Sequence, residues 1–229
     1  MRLLLNLLVC MVYSTFLAAQ TRGQYIVRAG ETLDGALPVE AKYVFPVFKK
    51  GTVFLRNGTT STQQLNYNFL LDEMQFLGIK GDTLTIAEPV TISHVVIDST
   101  RFYYQKFYLR EVYQAATFKL GVMQMLVQTM EKKYGGYNST SAISAISSYV
   151  SINNRSSVNR LQARKDVYLE KKAVYYLGDQ FNLFVKADKK GFLNFFSAKK
   201  NELQLHIREN KINFNNLEDL QKLLQFCTK

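Results

Sequence analysis

Thr52-Val53-Phe54-Leu55-Arg56-Asn57-Gly58 decides the architecture of this chain. A run of β-type residues meets Asn57-Gly58, a pair that readily takes the positive backbone angles of a tight hairpin turn. The return arm passes through Leu65, Tyr67 and Phe69. A hairpin at this point makes the neighbouring segments candidates for further antiparallel strands.

Outward from that hairpin, β-type runs alternate with turn signals at short spacing from Lys42 to Tyr113, the pattern of antiparallel sheet. Met74 to Leu77 leads into a turn at Lys80-Gly81-Asp82, and Thr83 to Ala87 returns from it. Pro89 limits the next strand at its start. Thr91 to Ile97 is β-branched and ends at Asp98-Ser99-Thr100, after which Phe102 to Tyr113 forms an aromatic-rich arm. The expectation is a meander of about five or six strands. Leu120, Met123, Val127 and Met130 recur at helical spacing, but Gly121 and the two valines favour a long strand over Lys119 to Met130.

Serine dominates residues 135–157, after Gly135-Gly136, and such small polar side chains build a poor core; an exposed loop or insertion is expected there. Strand character resumes from Val158 to Leu177, and the tail turns helical. Asp188, Ser197 and Asn215 or Asn216 are placed to cap three helix starts. Leu203 and Ile207 share one face of the second helix. Leu217, Leu220, Leu224 and Cys227 stripe the third, which carries Glu218 and Asp219 in its first turn, where negative charge suits the helix dipole. The fold expected is α+β and mainly β: an antiparallel meander or sandwich-like body over residues 24–185 with a C-terminal helical cap over residues 186–229.

The first residues read as an export signal, residues 1–19, with Arg2 as a short basic region, an apolar run from Leu3 to about Leu17, and small residues at Ala18 and Ala19. Asn6, Tyr13, Ser14 and Thr15 interrupt the run and suit cleavage between about Ala18 and Gly23 better than a membrane anchor, which takes about 20 apolar residues. Val9 before Cys10 does not fit a lipid attachment signal. Cleavage leaves Cys227 as the sole cysteine, so no internal disulfide forms in the mature chain. Its place near the end of an apolar helix suits a buried small hydrophobe rather than a nucleophile.

The chain carries 29 Lys and Arg against 18 Asp and Glu, a formal net charge of +11. That balance favours acidic surroundings: lipopolysaccharide, anionic polysaccharide or a membrane face. Nucleic acid is not an expected partner of an exported chain whose basic residues are spread along its length. The concentration from Lys186 to Lys200 reads as the solvated face of a helix.

Catalytic chemistry is thinly supplied. Only His94 and His206 exist; His94 alternates with Ile92 and Val96 on one face of a β run, and His206 lies on a basic helix, settings of a sheet residue and a surface residue. No HExxH, CxxC, GxSxG or phosphate-binding glycine loop occurs, so no metal, cofactor or catalytic set is assigned. Asp72, Glu73, Asp82 and Asp98 are the remaining resource for a carboxylate-dependent hydrolase of an envelope glycan, which needs two acids opposed across a groove. The chain has 14 Tyr and 16 Phe but no Trp, and Arg101-Phe102-Tyr103-Tyr104-Gln105-Lys106-Phe107-Tyr108 interleaves rings with cations. On a strand, Phe102, Tyr104 and Lys106 face one side and Tyr103, Gln105 and Phe107 the other. Arg101, Tyr103, Tyr104, Lys106 and Tyr108 are therefore the candidate ligand-binding residues, for a sugar or acyl ligand bearing an anionic group. Cross-strand packing is the alternative use of the same rings.

Gly51-Thr52-Val53, Asn57-Gly58, Leu65-Asn66-Tyr67-Asn68, Asp72-Glu73-Met74-Gln75-Phe76, Gly81-Asp82-Thr83-Leu84, Tyr175-Tyr176-Leu177-Gly178 and Lys189-Lys190-Gly191-Phe192-Leu193 together resemble a group of uncharacterised exported proteins of Bacteroidota. The resemblance implies a periplasmic or extracellular setting, makes the tripeptide sequons at Asn57, Asn138 and Asn154 irrelevant, and brings no activity with it. The function expected is a non-enzymatic binding or structural role at an anionic envelope surface; a glycan hydrolase and a subunit of an exported complex with a protein partner are the alternatives.

Overall fold

The structure is a computed structural model and describes residues 24–129, 163 and 166–228. The export signal, Cys10, the serine-rich stretch and the sequons at Asn138 and Asn154 lie outside the described residues. The strands are β1 (Gln24–Val27), β2 (Lys49–Leu55), β3 (Thr60–Asn68), β4 (Glu73–Leu77), β5 (Thr83–Thr85), β6 (Ile92–Ile97), β7 (Thr100–Tyr104), β8 (Tyr108–Ala115), β9 (Phe118–Thr129), β10 (Val167–Gly178) and β11 (Phe184–Lys186). They form one antiparallel sheet in the order β1-β10-β9-β8-β7-β6-β2-β3-β4-β5, with β11 on the same edge of β10 as β1. Two short helices, α1 (Leu33–Ala36) and α2 (Val39–Lys42), follow β1; α3 (Lys189–Phe195), α4 (Lys200–Glu209) and α5 (Leu217–Thr228) follow β11. The mainly β body and helical C-terminus are as the sequence implies, and residues 118–129 are a strand.

The deciding hairpin forms as read. Gly58 takes φ +88, Leu55 donates its N–H to the Thr59 carbonyl, and Asn57 Oδ1 accepts from both the amide and hydroxyl of Thr59. Gly81, at φ +79, turns β4 into β5, and Asp98, at φ +58, turns β6 into β7. Three readings need correction. The stretch from Lys42 to Tyr113 holds seven strands, β2 to β8, where five or six were expected. The aromatic arm is two strands, because residues 105–107 form a turn in which Gln105 N–H donates to the Phe107 carbonyl. A register shift opposite Phe54 and Leu55 pairs Phe54 with His94 and Leu55 with Ile92, skipping Ser93. Ile92 thus joins Val95 and Ile97 in the core instead of sharing a face with His94.

Both large core clusters use the same face of the sheet. Leu126 and Leu169 belong to the first, with Val53, Leu65, Tyr67, Phe69, Val95 and Phe102. Tyr67 meets Phe102 at 5.6 Å and Tyr108 at 5.3 Å, and Lys171 on β10 reaches the Phe69 ring, so the sheet coils around this cluster. Leu120 and Leu177, paired at the other end of the long strands, belong to the second, which α3, α4 and α5 cover.

Helix ends follow local chemistry. Asp188 accepts from Gly191 N–H, and Asn216 accepts from Asp219 N–H, as expected of caps. Ser197 caps nothing: it opens a 3-10 turn, Ser197–Lys199, from which α4 continues without a side-chain cap. Leu203 and Ile207 of α4 and Leu220, Leu223, Leu224 and Cys227 of α5 are buried; His206 is half-buried and stacks on Phe226 at 3.9 Å.

Candidate functional site

One row of residues crosses six strands on the inner face: Val53 pairs with Val95, Val95 with Phe102, Phe102 with Arg110, Arg110 with Val122 and Val122 with Tyr175. Arg110 is the cation in an otherwise apolar and aromatic row. Its guanidinium is half-buried, Nη2 lies 3.5 Å from Gln124 Oε1, and Nε is buried with no hydrogen-bond partner among the described residues. Among the described residues Arg110 forms no ion pair. Burial pulls its pKa down, with Tyr175 acting in the opposite sense. A buried N–H left unmade costs about 1–3 kcal/mol, and cations this deep normally find a partner.

The neighbouring rows continue the same surface. Tyr104 pairs with Tyr108, ring centroids 4.9 Å apart, and the buried Tyr108 hydroxyl also has no hydrogen-bond partner among the described residues. Burial, and next the Asp72 carboxylate, drives the Tyr108 pKa far up, so its hydroxyl stays a donor. Gln124 pairs with Ala173, whose small side chain is exposed and leaves the sheet open at this point. Lys171 pairs with Leu126; its Nζ lies 4.2 Å from the Phe69 centroid and donates to the Glu40 carbonyl. Burial, and then the nearby Arg110, lowers the Lys171 pKa, against a smaller effect of Glu40.

This arrangement is suited to binding. The Nε–H of Arg110 is buried with its hydrogen unused among the described residues, and two parallel N–H groups of a guanidinium match a carboxylate or phosphate. Lys171 adds a second positive charge. Apolar and aromatic residues of the first core cluster, Phe102 beside Arg110 and Phe69 beneath Lys171, flank both cations. Among the described residues no group of His, Cys, Asp and Glu is arranged to hold a metal ion.

The structure divides the five residues singled out in the sequence. Tyr104 and Tyr108 stand on the inner face beside Arg110, while Arg101 and Tyr103 stand on the outer face and Lys106 lies exposed in the turn. On the outer face the Tyr103 hydroxyl donates to Glu111 Oε2 at 2.8 Å, and Arg101 hydrogen-bonds to the same hydroxyl. Burial and the Glu111 bond push the Tyr103 pKa up to about 12, although Arg101 pulls the other way. His94 stacks flat on Phe54 at 4.3 Å and lies 6.3 Å from Tyr103, and Lys119 Nζ sits 4.8 Å over the Tyr103 ring. These partners satisfy one another; the outer cluster holds the sheet together.

Arg110, Gln124 and Lys171 are the inner-face residues that sequence reading passed over. Arg110 keeps the parity of Phe102, Tyr104 and Tyr108, and a cation on the apolar parity of a strand is the signal that marks it.

Asp72 and Glu73 adjoin at the start of β4, and Asp82 and Asp98 lie at two other turns. Asp72, at φ +56, accepts from the Tyr67 hydroxyl and Tyr108 N–H. Glu73 accepts from Gln75 and Thr85, the Asp82 carbonyl accepts from Gly78 N–H, and Asp98 meets Lys49 Nζ at 2.9 Å. Each stabilises its own turn or strand end. No family model matches this chain, and neither does any curated protein or solved structure with which it was compared.

Proposed function

We propose that this chain is an exported, non-enzymatic binding protein of the cell envelope that holds the anionic group of an envelope component against the inner face of its sheet. One observation carries the reading: Arg110, in a core row, keeps a buried Nε–H without an acceptor among the described residues. A fold that keeps such a group where a leucine would fit gives up stability, and a bound carboxylate or phosphate supplies the missing acceptor. The net charge of +11 and the export signal support an acidic envelope setting.

Titration calorimetry with octanoate, octyl phosphate and neutral octyl glucoside separates head from tail. Saturable binding of at least one of the two anionic probes, absent for the glucoside and abolished in Arg110→Leu, is the expected outcome. Equal binding by Arg110→Leu, or no binding of either anion at physiological salt, would overturn the assignment.

A further inference from the structure

The loop between β10 and β11 exposes apolar side chains on a rigid frame. Phe181 is 72% exposed and Leu183 61% exposed, and Val185 follows them in the exposed set. Single exposed apolar residues are ordinary, but two at one tip, held in a fixed conformation, are the kind of patch that marks a contact. Asp179 Oδ1 accepts from both Phe181 N–H and Leu183 N–H at 2.9 Å, and Asn182 N–H donates to the Asp179 carbonyl. Asn182 itself takes the left-handed conformation, φ +62.

The body of the protein braces this tip from below. Lys119, only 8% exposed, donates to Asn182 Oδ1 at 2.6 Å, and Gln105 Nε2 donates to the Asn182 carbonyl. Between the exposed residues Leu183 and Val185, Phe184 turns inward: its ring lies against Gly178 and Gly121 and 5.3 Å from Tyr103. A Cβ at position 178 would come within 2.5 Å of that ring, so glycine there is what lets the loop seat. The frame therefore presents Phe181 and Leu183 outward with little conformational freedom to lose on contact.

Cations adjoin the loop along the chain and through the neighbouring turn. Lys106 sits in the β7–β8 turn, which Gln105 ties to the loop, and Lys186, Lys189 and Lys190 follow the loop directly in the chain. Lys189 and Lys190 also line a shallow cleft with Lys200, Leu193, Asn194 and Gln204, a set without a carboxylate. Of the acids in this stretch, Asp179 is committed to the loop amides and Asp188 to the α3 cap. Exposed apolar side chains with lysines in the adjoining turn, strand and helix match a bilayer interface, where rings and aliphatic chains enter the headgroup region and lysines meet lipid phosphates.

We propose that the β10–β11 loop is a membrane-docking prong, Phe181 and Leu183 entering the surface of an anionic lipid bilayer while Lys106, Lys186, Lys189 and Lys190 engage its phosphates. The inference is independent of Arg110, and Arg110→Leu is expected to dock as the parent chain does.

The chain contains no Trp, so Phe181→Trp adds a single reporter at the tip. Vesicles of mixed phosphatidylglycerol and phosphatidylcholine are expected to shift its emission to the blue and to co-sediment the protein, whereas pure phosphatidylcholine vesicles leave both unchanged. A Phe181→Ser/Leu183→Ser double variant, whose thermal unfolding should match the parent because both sites are exposed, is expected to lose about tenfold in vesicle affinity; raising the salt weakens the parent similarly. An unshifted emission with anionic vesicles, or undiminished co-sedimentation of the double variant, would overturn the proposal. So would self-association in sedimentation velocity that the double variant abolishes without any vesicle binding, since the tip would then be an interface between copies.

Discussion

Arg110 stands directly across the β7–β8 pairing from Phe102, a half-buried guanidinium in register with a fully buried ring. If the cation is kept for a ligand, removing it should help the fold. Arg110→Leu is expected to stabilise the chain by about 1–3 kcal/mol by relieving the unmade Nε–H bond and the desolvated charge. A urea titration reads this as a higher midpoint at an unchanged slope. A lower midpoint would show that the guanidinium is structural.

His94 makes stability depend on acidity. Burial, then Arg101 and Lys119, hold its pKa below the ordinary 6.5, against the smaller pull of Glu111. As pH falls below about 6.5 the unfolded chain takes up a proton at this position before the folded chain does, so stability contributed by neutral His94 is lost on acidification. His94→Gln should flatten the change in urea midpoint between about pH 7.5 and 5.5 relative to the parent. An identical slope in both proteins would remove His94 from the account.

Gly178 is required by the Phe184 ring above it. Gly178→Ala forces that ring or the strand to shift, at a cost of about 1–3 kcal/mol. The second variant Phe184→Leu, which clears the ring atoms in question, should make the alanine much less costly; a double-mutant cycle with no coupling would contradict this contact.

Cys227 is buried on α5, and burial pushes its thiol pKa up to about 12, against the smaller effect of Lys199. Iodoacetamide at pH 8 should leave it unmodified in the folded protein and label it fully in urea. Labelling of the folded protein at the rate of a free thiol would show that α5 opens.

The strands and turns around Asn57-Gly58, Gly81 and Asp98 were legible because short-range chemistry sets them: a glycine or Asx residue accepts the positive φ and the flanking β-branched residues extend. The C-terminal stripe on α5 was legible from its spacing for the same reason. The break at residues 105–107 was not, since Tyr104-Gln105-Lys106-Phe107 contains no glycine, proline or asparagine and the turn is imposed by pairing of Tyr104 with Tyr108. The bulge at Ser93 follows from registry with β2, which lies nearly forty residues away in the chain. Two of the five residues of the candidate site were in view: Tyr104 and Tyr108 were named from their ring-rich segment. Arg110, Gln124 and Lys171 come together only through the β8–β9–β10 register, which joins residues over sixty positions apart.

The Nε–Hε resonance of Arg110 in a nitrogen-15 correlation spectrum, assigned by its loss in Arg110→Leu, reports whether the guanidinium takes an anion. With octanoate or octyl phosphate added, that one resonance is expected to move downfield saturably with at least one of the two probes, as the N–H gains an acceptor, and not to move with octyl glucoside. An Arg110 resonance that stays in place while either anion binds elsewhere, or while neither binds, would contradict it.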